Sequence, residues 1–196
     1  MDSNCNQPIV ISGFAQQPVL TKVIDKIKTG ALYSIKLSED AKVTVEFTQE
    51  LGLKKLLRQF NDTGFEVDGV KLTLKIPSSL SRVHISPEML VNIFNRGATR
   101  VLRLSHPLGD NSSTRLNPED LVNLGGVIRV SKLAPDNALS VKRLIFFVEF
   151  DHVEASINAK VKIDGNPKFS GWITTFGKDP CGGIEIESKT GKSPSG

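Results

Sequence analysis

The sequence predicts an α+β protein that folds twice into one kind of unit, a four-stranded antiparallel sheet with two helices on one face. Three observations carry this prediction. Residues Arg143–Phe150 read Arg-Leu-Ile-Phe-Phe-Val-Glu-Phe, mostly β-branched or aromatic, which is the composition of a strand. The order strand, helix, strand, strand, helix, strand can be followed through residues 8–76, and it starts again at residue 101. Short stretches also match between the halves: Ile11-Ser12 with Leu104-Ser105, and Val45-Glu46-Phe47 with Val148-Glu149-Phe150. The spacing of these matches gives the second half about ten extra residues, in loops near 109–114 and 135–140.

In the first half, Pro8 to Phe14 reads as a strand ended by glycine. Val19, Leu20, Val23, Ile24 and Ile27 keep the i, i+3, i+4 spacing of an amphipathic helix, stopped at Thr29-Gly30. Leu32, Ile35 and Leu37 mark a second strand. In the third, Val43, Val45 and Phe47 are expected inward, and Lys42, Thr44 and Glu46 outward. Thr48 is expected to cap a helix whose apolar face is Leu53, Leu56, Leu57 and Phe60, and Val70 to Ile76 closes the set. The second half repeats this plan. Val101 to Ser105 is a strand, and Asn117-Pro-Glu-Asp120 is a helix start, with a cap, a first-turn proline and acids on the positive end of the dipole. Val127 to Val130 and Arg143–Phe150 are strands, residues 151–160 a short helix, and Trp172 to Phe176 the last strand.

The expected organisation is a disordered segment at 1–7, a first unit at 8–77, a linker at 78–98, a second unit at 99–183 and a flexible tail at 184–196. Ser86-Pro87-Glu88 starts a linker helix over about 86–96, with Met89, Leu90, Ile93 and Phe94 apolar and Gly97 at its end. Such a helix is too short to stand alone in water, so it is expected to bury its apolar face against one or both units.

Composition narrows the function classes. A 39% hydrophobic and 23% charged chain is ordinary for a soluble globular protein, and no apolar run approaches a membrane span. The amino terminus lacks a signal-peptide pattern, so Cys5 and Cys181 are expected as free thiols in an intracellular protein, cytoplasmic or nuclear. The sequons Asn61-Asp-Thr63 and Asn111-Ser-Ser113 would matter only after secretion. A formal charge of +4 and a pI near 9.1 lean toward a polyanionic partner. His84, His106 and His152 have no carboxylate or cysteine at ligand spacing, and Thr190-Gly-Lys-Ser193 lacks the upstream glycine of a phosphate loop, with Ile186 in its place. Neither an enzyme nor a cofactor is expected.

The strand Arg143–Phe150 follows the RNP1 template at its first, fifth, sixth and eighth places, with Leu144 and Ile145 in place of the glycine and the first aromatic. Each unit accordingly resembles an RNA recognition motif (RRM), a ferredoxin-like domain, and the chain resembles a tandem pair. Gly97-Ala-Thr-Arg100 and Phe176-Gly-Lys-Asp-Pro-Cys181 resemble the segments Gly-Ala-Thr-Arg-Asn and Tyr-Gly-Lys-Asp-Arg-Cys of fungal multi-RRM proteins of the negative-regulator-of-differentiation type. The likeness spans about residues 8–183. It implies single-stranded RNA binding and post-transcriptional control of messenger RNA, tied to differentiation or stress responses.

An RRM stacks bases on aromatic side chains at the centre of its sheet. In the first unit those positions hold Val10, Lys42 and Thr44, and in the second Arg103, Ile145 and Phe147. One aromatic remains, and an arginine can also stack through its guanidinium plane. Stacking contributes roughly 1–3 kcal/mol per base, so the first unit is expected to be a poor RNA binder through its sheet and the second a weak one.

The candidate RNA contacts are Phe147, Arg103, Arg143 and Ile145 on one face of the sheet, and Arg129 and Lys132 on the neighbouring strand. Arg100 and Lys178 lie in the two resembling segments, and Lys42 and Lys75 belong to the first unit. Phe147 is either a stacking platform or a residue covered by the other unit or the carboxy-terminal segment. Lys36, Lys42, Lys71 and Lys75 form a basic patch without interleaved aromatics, which reads as a solvated face before it reads as a phosphate contact. Trp172 is expected to pack rather than stack. The expected partner is single-stranded RNA. The alternative is a protein partner or a homodimer, for which exposed Ile145 and Val10 are better suited than for a base.

Overall fold

The computed structural model describes residues 5–78, 83–107, 116–133 and 143–182. The extra loops near 109–114 and 135–140 and the tail at 184–196 lie outside these residues, as do residues 1–4 and 79–82.

The first unit contains β2 (Ile9–Ser12), α1 (Leu20–Lys26), β3 (Leu32–Leu37), β4 (Val43–Phe47), α2 (Glu50–Thr63), β5 (Phe65–Val67) and β6 (Val70–Lys75). Its antiparallel sheet has the order β3-β4-β2-β6-β5. The second unit contains β8 (Val101–Pro107), α4 (Pro118–Val122), β9 (Val127–Leu133), β10 (Arg143–Phe150), α5 (Val153–Asp164) and β11 (Ile173–Phe176), in the order β11-β8-β10-β9. With β5 set aside, both sheets place the fourth strand of the unit beside the first and the third beside the second. That is the predicted βαββαβ plan, built twice.

Alternation along the strands fixes which face each sheet buries. Ile9, Ile11, Val43, Val45, Phe47, Leu72 and Leu74 join Val23, Ile24, Leu53 and Leu56 of the helices in the first core. Leu102, Leu104, Phe146, Val148 and Phe150 join Leu121, Ala155, Ala159 and Ile163 in the second. Helix α2 comes closest to its sheet at Gly52, where a Cβ would stand 2.5 Å from Cδ1 of Phe47. Asn117 caps α4 as expected, with Asp120 reaching back to the Asn117 N–H at 3.2 Å.

Five local expectations are corrected. Strand β5 makes the first sheet five-stranded, folded onto β6 by Asp68-Gly69, both with positive φ, which is a two-residue hairpin turn. Residue Gln49, not Thr48, precedes α2, because the Thr48 hydroxyl donates to the Ala31 carbonyl at 3.1 Å. Glu46 is buried rather than outward-solvated, accepting a hydrogen bond from Ser34. Part of the amino-terminal segment is ordered, since β1 (Cys5–Asn6) pairs with β7 (Val83–His84). The linker helix α3 (Pro87–Phe94), capped by Ser86, buries none of its residues fully, and Val91 and Phe94 are exposed.

The two units meet in a joint built from the segments around Arg100 and Cys181. The Arg100 guanidinium donates to both oxygens of Asp179 (3.0 and 3.1 Å) and to the Phe150 carbonyl (2.8 Å). Asp179 also accepts from the Cys181 N–H (2.8 Å) and, across the joint, from the Leu32 N–H (3.3 Å). Arg100 is fully buried and Asp179 nearly so. A buried pair holds its charges only when further hydrogen bonds support it, as the Phe150 carbonyl and the Leu32 and Cys181 N–H groups do here. Cys181 follows into the core of the first unit, its thiol donating to the Ile24 carbonyl at 3.5 Å and its own carbonyl accepting from the Gly30 N–H at 2.9 Å. Burial, then the Asp179 charge, pushes this thiol far above its ordinary pKa, so it stays protonated.

Candidate nucleic-acid interface

On the second sheet the side chains opposite the core form a grid. The strand register sets Thr175, Arg103, Phe147 and Ser131 in one row across β11, β8, β10 and β9. The next row is Ile173, Ser105, Ile145 and Leu133. Phe147 is partly exposed on the open face with Arg103 directly across from it, while its neighbour Phe146 is buried in the core. Gly177 closes one side of the ring, since a Cβ there would lie 3.6 Å from Cδ1 of Phe147 and 3.0 Å from Val101. Neither Arg103 nor Arg143 pairs with a carboxylate among the described residues. Among the described residues the face therefore offers the Phe147 ring, two guanidinium groups without a carboxylate partner and an apolar strip, Ile173 and Leu133 being about half exposed.

The Ser105 hydroxyl is buried between Ile145 and Ile173 and has no hydrogen-bond partner among the described residues. No motif marked it. The signal was available in the alternation of β8, where Ser105 follows core Leu104 and so must face the open side.

The other candidates are dispersed. Arg100 is not at the surface, because it is committed to the joint. Arg129 is also engaged: it donates to Glu149 at 2.8 Å and to Asp25 of α1 at 3.1 and 3.2 Å. Burial opposes the Arg129 charge, yet hydrogen bonds and charge from Glu149 and Asp25 outweigh it and raise the pKa. Lys132 stands opposite Phe146 in the register, so it lies on the helix side of the sheet rather than beside Phe147, though exposed at the strand end. Lys178 is exposed, just beyond Gly177. Trp172 packs, its ring 5.7 Å from Phe146 and 5.2 Å from His106.

In the first sheet Tyr33 sits at the β3 bulge beside Ser34, and the row next to it holds no aromatic ring. One row across β3, β4, β2 and β6 is Lys36, Thr44, Val10 and Lys75. Lys36, Lys71 and Lys75 are exposed and pair with no carboxylate among the described residues. Lys42, just before β4, is engaged by Asp40.

The two open faces are not one surface. Arg129, on the open side of the second sheet, meets Asp25 on the helix layer of the first unit. Ser34, on the open side of the first sheet, forms an antiparallel bridge with His152 at the start of α5, in the helix layer of the second. Tyr33 beside it has its phenol pKa raised by burial and then by Glu154 and Glu46. Each open face therefore abuts the back of the other unit.

No protein-family model matches the sequence, and no curated protein matches it. Among solved structures the chain is similar to RNA recognition domains 1 and 2 of Sex-lethal from Drosophila melanogaster, at 15% identity and a TM-score of 0.31, over 88% of this chain and 100% of that one. It is similar to the NONO-1 homodimer of C. elegans, at 12% identity and a TM-score of 0.34, over 98% of this chain and 70% of that one. It is also similar to the three amino-terminal RNA-binding domains of the yeast splicing factor Prp24, at 12% identity and a TM-score of 0.32, over 90% and 67%. Among the described residues no helix is long and apolar enough to cross a membrane.

Proposed function

We propose that this protein binds single-stranded RNA through the open face of its second sheet, and acts by that binding in post-transcriptional control of messenger RNA. The observation that carries the reading is Phe147, a ring left partly accessible on the sheet and faced across the strand pair by Arg103, which pairs with no carboxylate among the described residues. A base can stack on the ring while the guanidinium meets a phosphate or the face of the next base. Arg143 and Lys178 extend the positive rim, and the strip of Ile145, Ile173 and Leu133 offers apolar contact beside it. The twofold βαββαβ plan supports the reading, since that plan underlies RNA recognition motifs. The likeness of Gly97-Ala-Thr-Arg100 and Gly177-Lys-Asp-Pro-Cys181 to fungal differentiation-regulating proteins supports an mRNA-regulatory role in the cytoplasm or nucleus.

The test is titration of the full chain with short single-stranded RNAs at fixed salt. Phe147→Ala is expected to weaken binding by about 1–3 kcal/mol, the worth of one stacked base, and Arg103→Ala by a similar or smaller amount. Unchanged affinity in both variants would remove this face as the binding site. Sedimentation of the free chain at several concentrations tests the rival reading, in which the apolar strip joins two copies; a dimer dispersed by Ile145→Asp and indifferent to RNA would favour it.

A further inference from the structure

We infer that the open face of the first sheet is a second, stacking-free RNA contact that holds the phosphate backbone. It lies apart from the Phe147 face, so that only an RNA long enough to pass around the joint engages both. The inference rests on the RNA-binding reading above.

Three observations carry it. Lys36 and Lys75 stand at the two ends of one cross-strand row, with only Thr44 and Val10 between them. Strands lie about 4.8 Å apart, so the two lysine backbones are roughly 14 Å from each other, with flexible stems that reach farther. Lys71 adds a third cation on β6, on the same face as Lys75. Of the acids near this face, Glu46 is buried against Ser34 and Asp40 is held by Lys42, while Glu66 on the edge strand β5 stands opposite Lys71 and away from the Lys36–Lys75 row. A row of exposed ammonium groups with a hydroxyl and no ring between them can neutralise phosphates but does not grip bases. The third observation is the packing of each open face against the back of the other unit, at Arg129–Asp25 and at Ser34–His152, which keeps the two faces from merging into one groove.

The experiment compares random-sequence single-stranded RNAs of about 8 and about 25 nucleotides, titrated at several salt concentrations, on the full chain and on Lys36→Gln/Lys71→Gln/Lys75→Gln. The side chains changed are exposed, and circular dichroism checks that the fold is kept. For the wild type, the longer RNA is expected to bind more tightly and with a steeper salt dependence. Each phosphate neutralised on single strands contributes about 0.7 to the slope of log K against log salt, so the triple variant is expected to lower that slope by about 2 for the longer RNA. The shorter RNA should keep both its affinity and its loss on Phe147→Ala. If the triple variant leaves the slope and the length advantage unchanged while Phe147→Ala still weakens binding, the second contact is overturned and the first reading stands. If the wild type binds neither RNA, both are overturned.

Discussion

The two open sheet faces share one backbone grid and almost none of their chemistry. In the second unit the central row reads Thr175, Arg103, Phe147, Ser131; in the first the comparable row reads Lys36, Thr44, Val10, Lys75. The cores beneath are alike, two helices over branched and aromatic residues. The face turned away from the core is thus free to change while the fold stays fixed, since none of its side chains has to fill the interior. A fold supplies positions, and the residues standing at them decide between gripping a base and attracting a phosphate.

The largest effect that would break this comparison lies at the joint rather than on either face. Asp179→Ala leaves Arg100 buried without its partner and is expected to cost about 3–5 kcal/mol. Because Asp179 also holds the Leu32 N–H, urea unfolding followed by Trp172 fluorescence and by amide signals of Ile11 and Val45 should show both units losing stability. Loss confined to the second unit would mean that the units are stable separately. Next come two neighbours on β10. Phe146→Ala opens the core and is expected to cost about 3–5 kcal/mol of stability, whereas Phe147→Ala should change stability by less than about 1 kcal/mol and act on RNA binding instead. Equal losses of stability would place Phe147 in a packing role. The smallest effect is a gain. Val10→Tyr places a ring in the Lys36–Lys75 row of the first sheet, which now holds none, and is expected to tighten binding of a long RNA by about 1 kcal/mol in an anisotropy titration. No gain would show that RNA does not cross that row.

The sequence made much of the fold legible because its strands alternate cleanly. Arg143–Phe150 is a strand over the very residues expected, with Leu144, Phe146, Val148 and Phe150 toward the core. Ser86-Pro87 started α3 and Asn117-Pro118 started α4, since capping chemistry is local. Strand β5 was missed although Asp68-Gly69 announced its turn, because three residues are too few to show a period. The exposure of α3 was missed for another reason: apolar spacing says which face wants cover, not whether a partner reaches it. The site was harder still. Arg100 and Arg129 looked like cations for RNA, and nothing in a linear chain reveals that Asp179 stands across from one and Glu149 and Asp25 from the other. Charge type can be read from sequence, but whether a charge is already engaged depends on contacts 20 to 104 residues away.

Cys181 gives the joint a consequence in time. The thiol that fills a place beside Ile24 in the first core is made long after the rest of that core. Domains generally fold as they leave the ribosome, amino-terminal part first. Here the first unit emerges with a gap beside Ile24 that a residue 157 positions later fills, so its core is completed only once the second unit has been made.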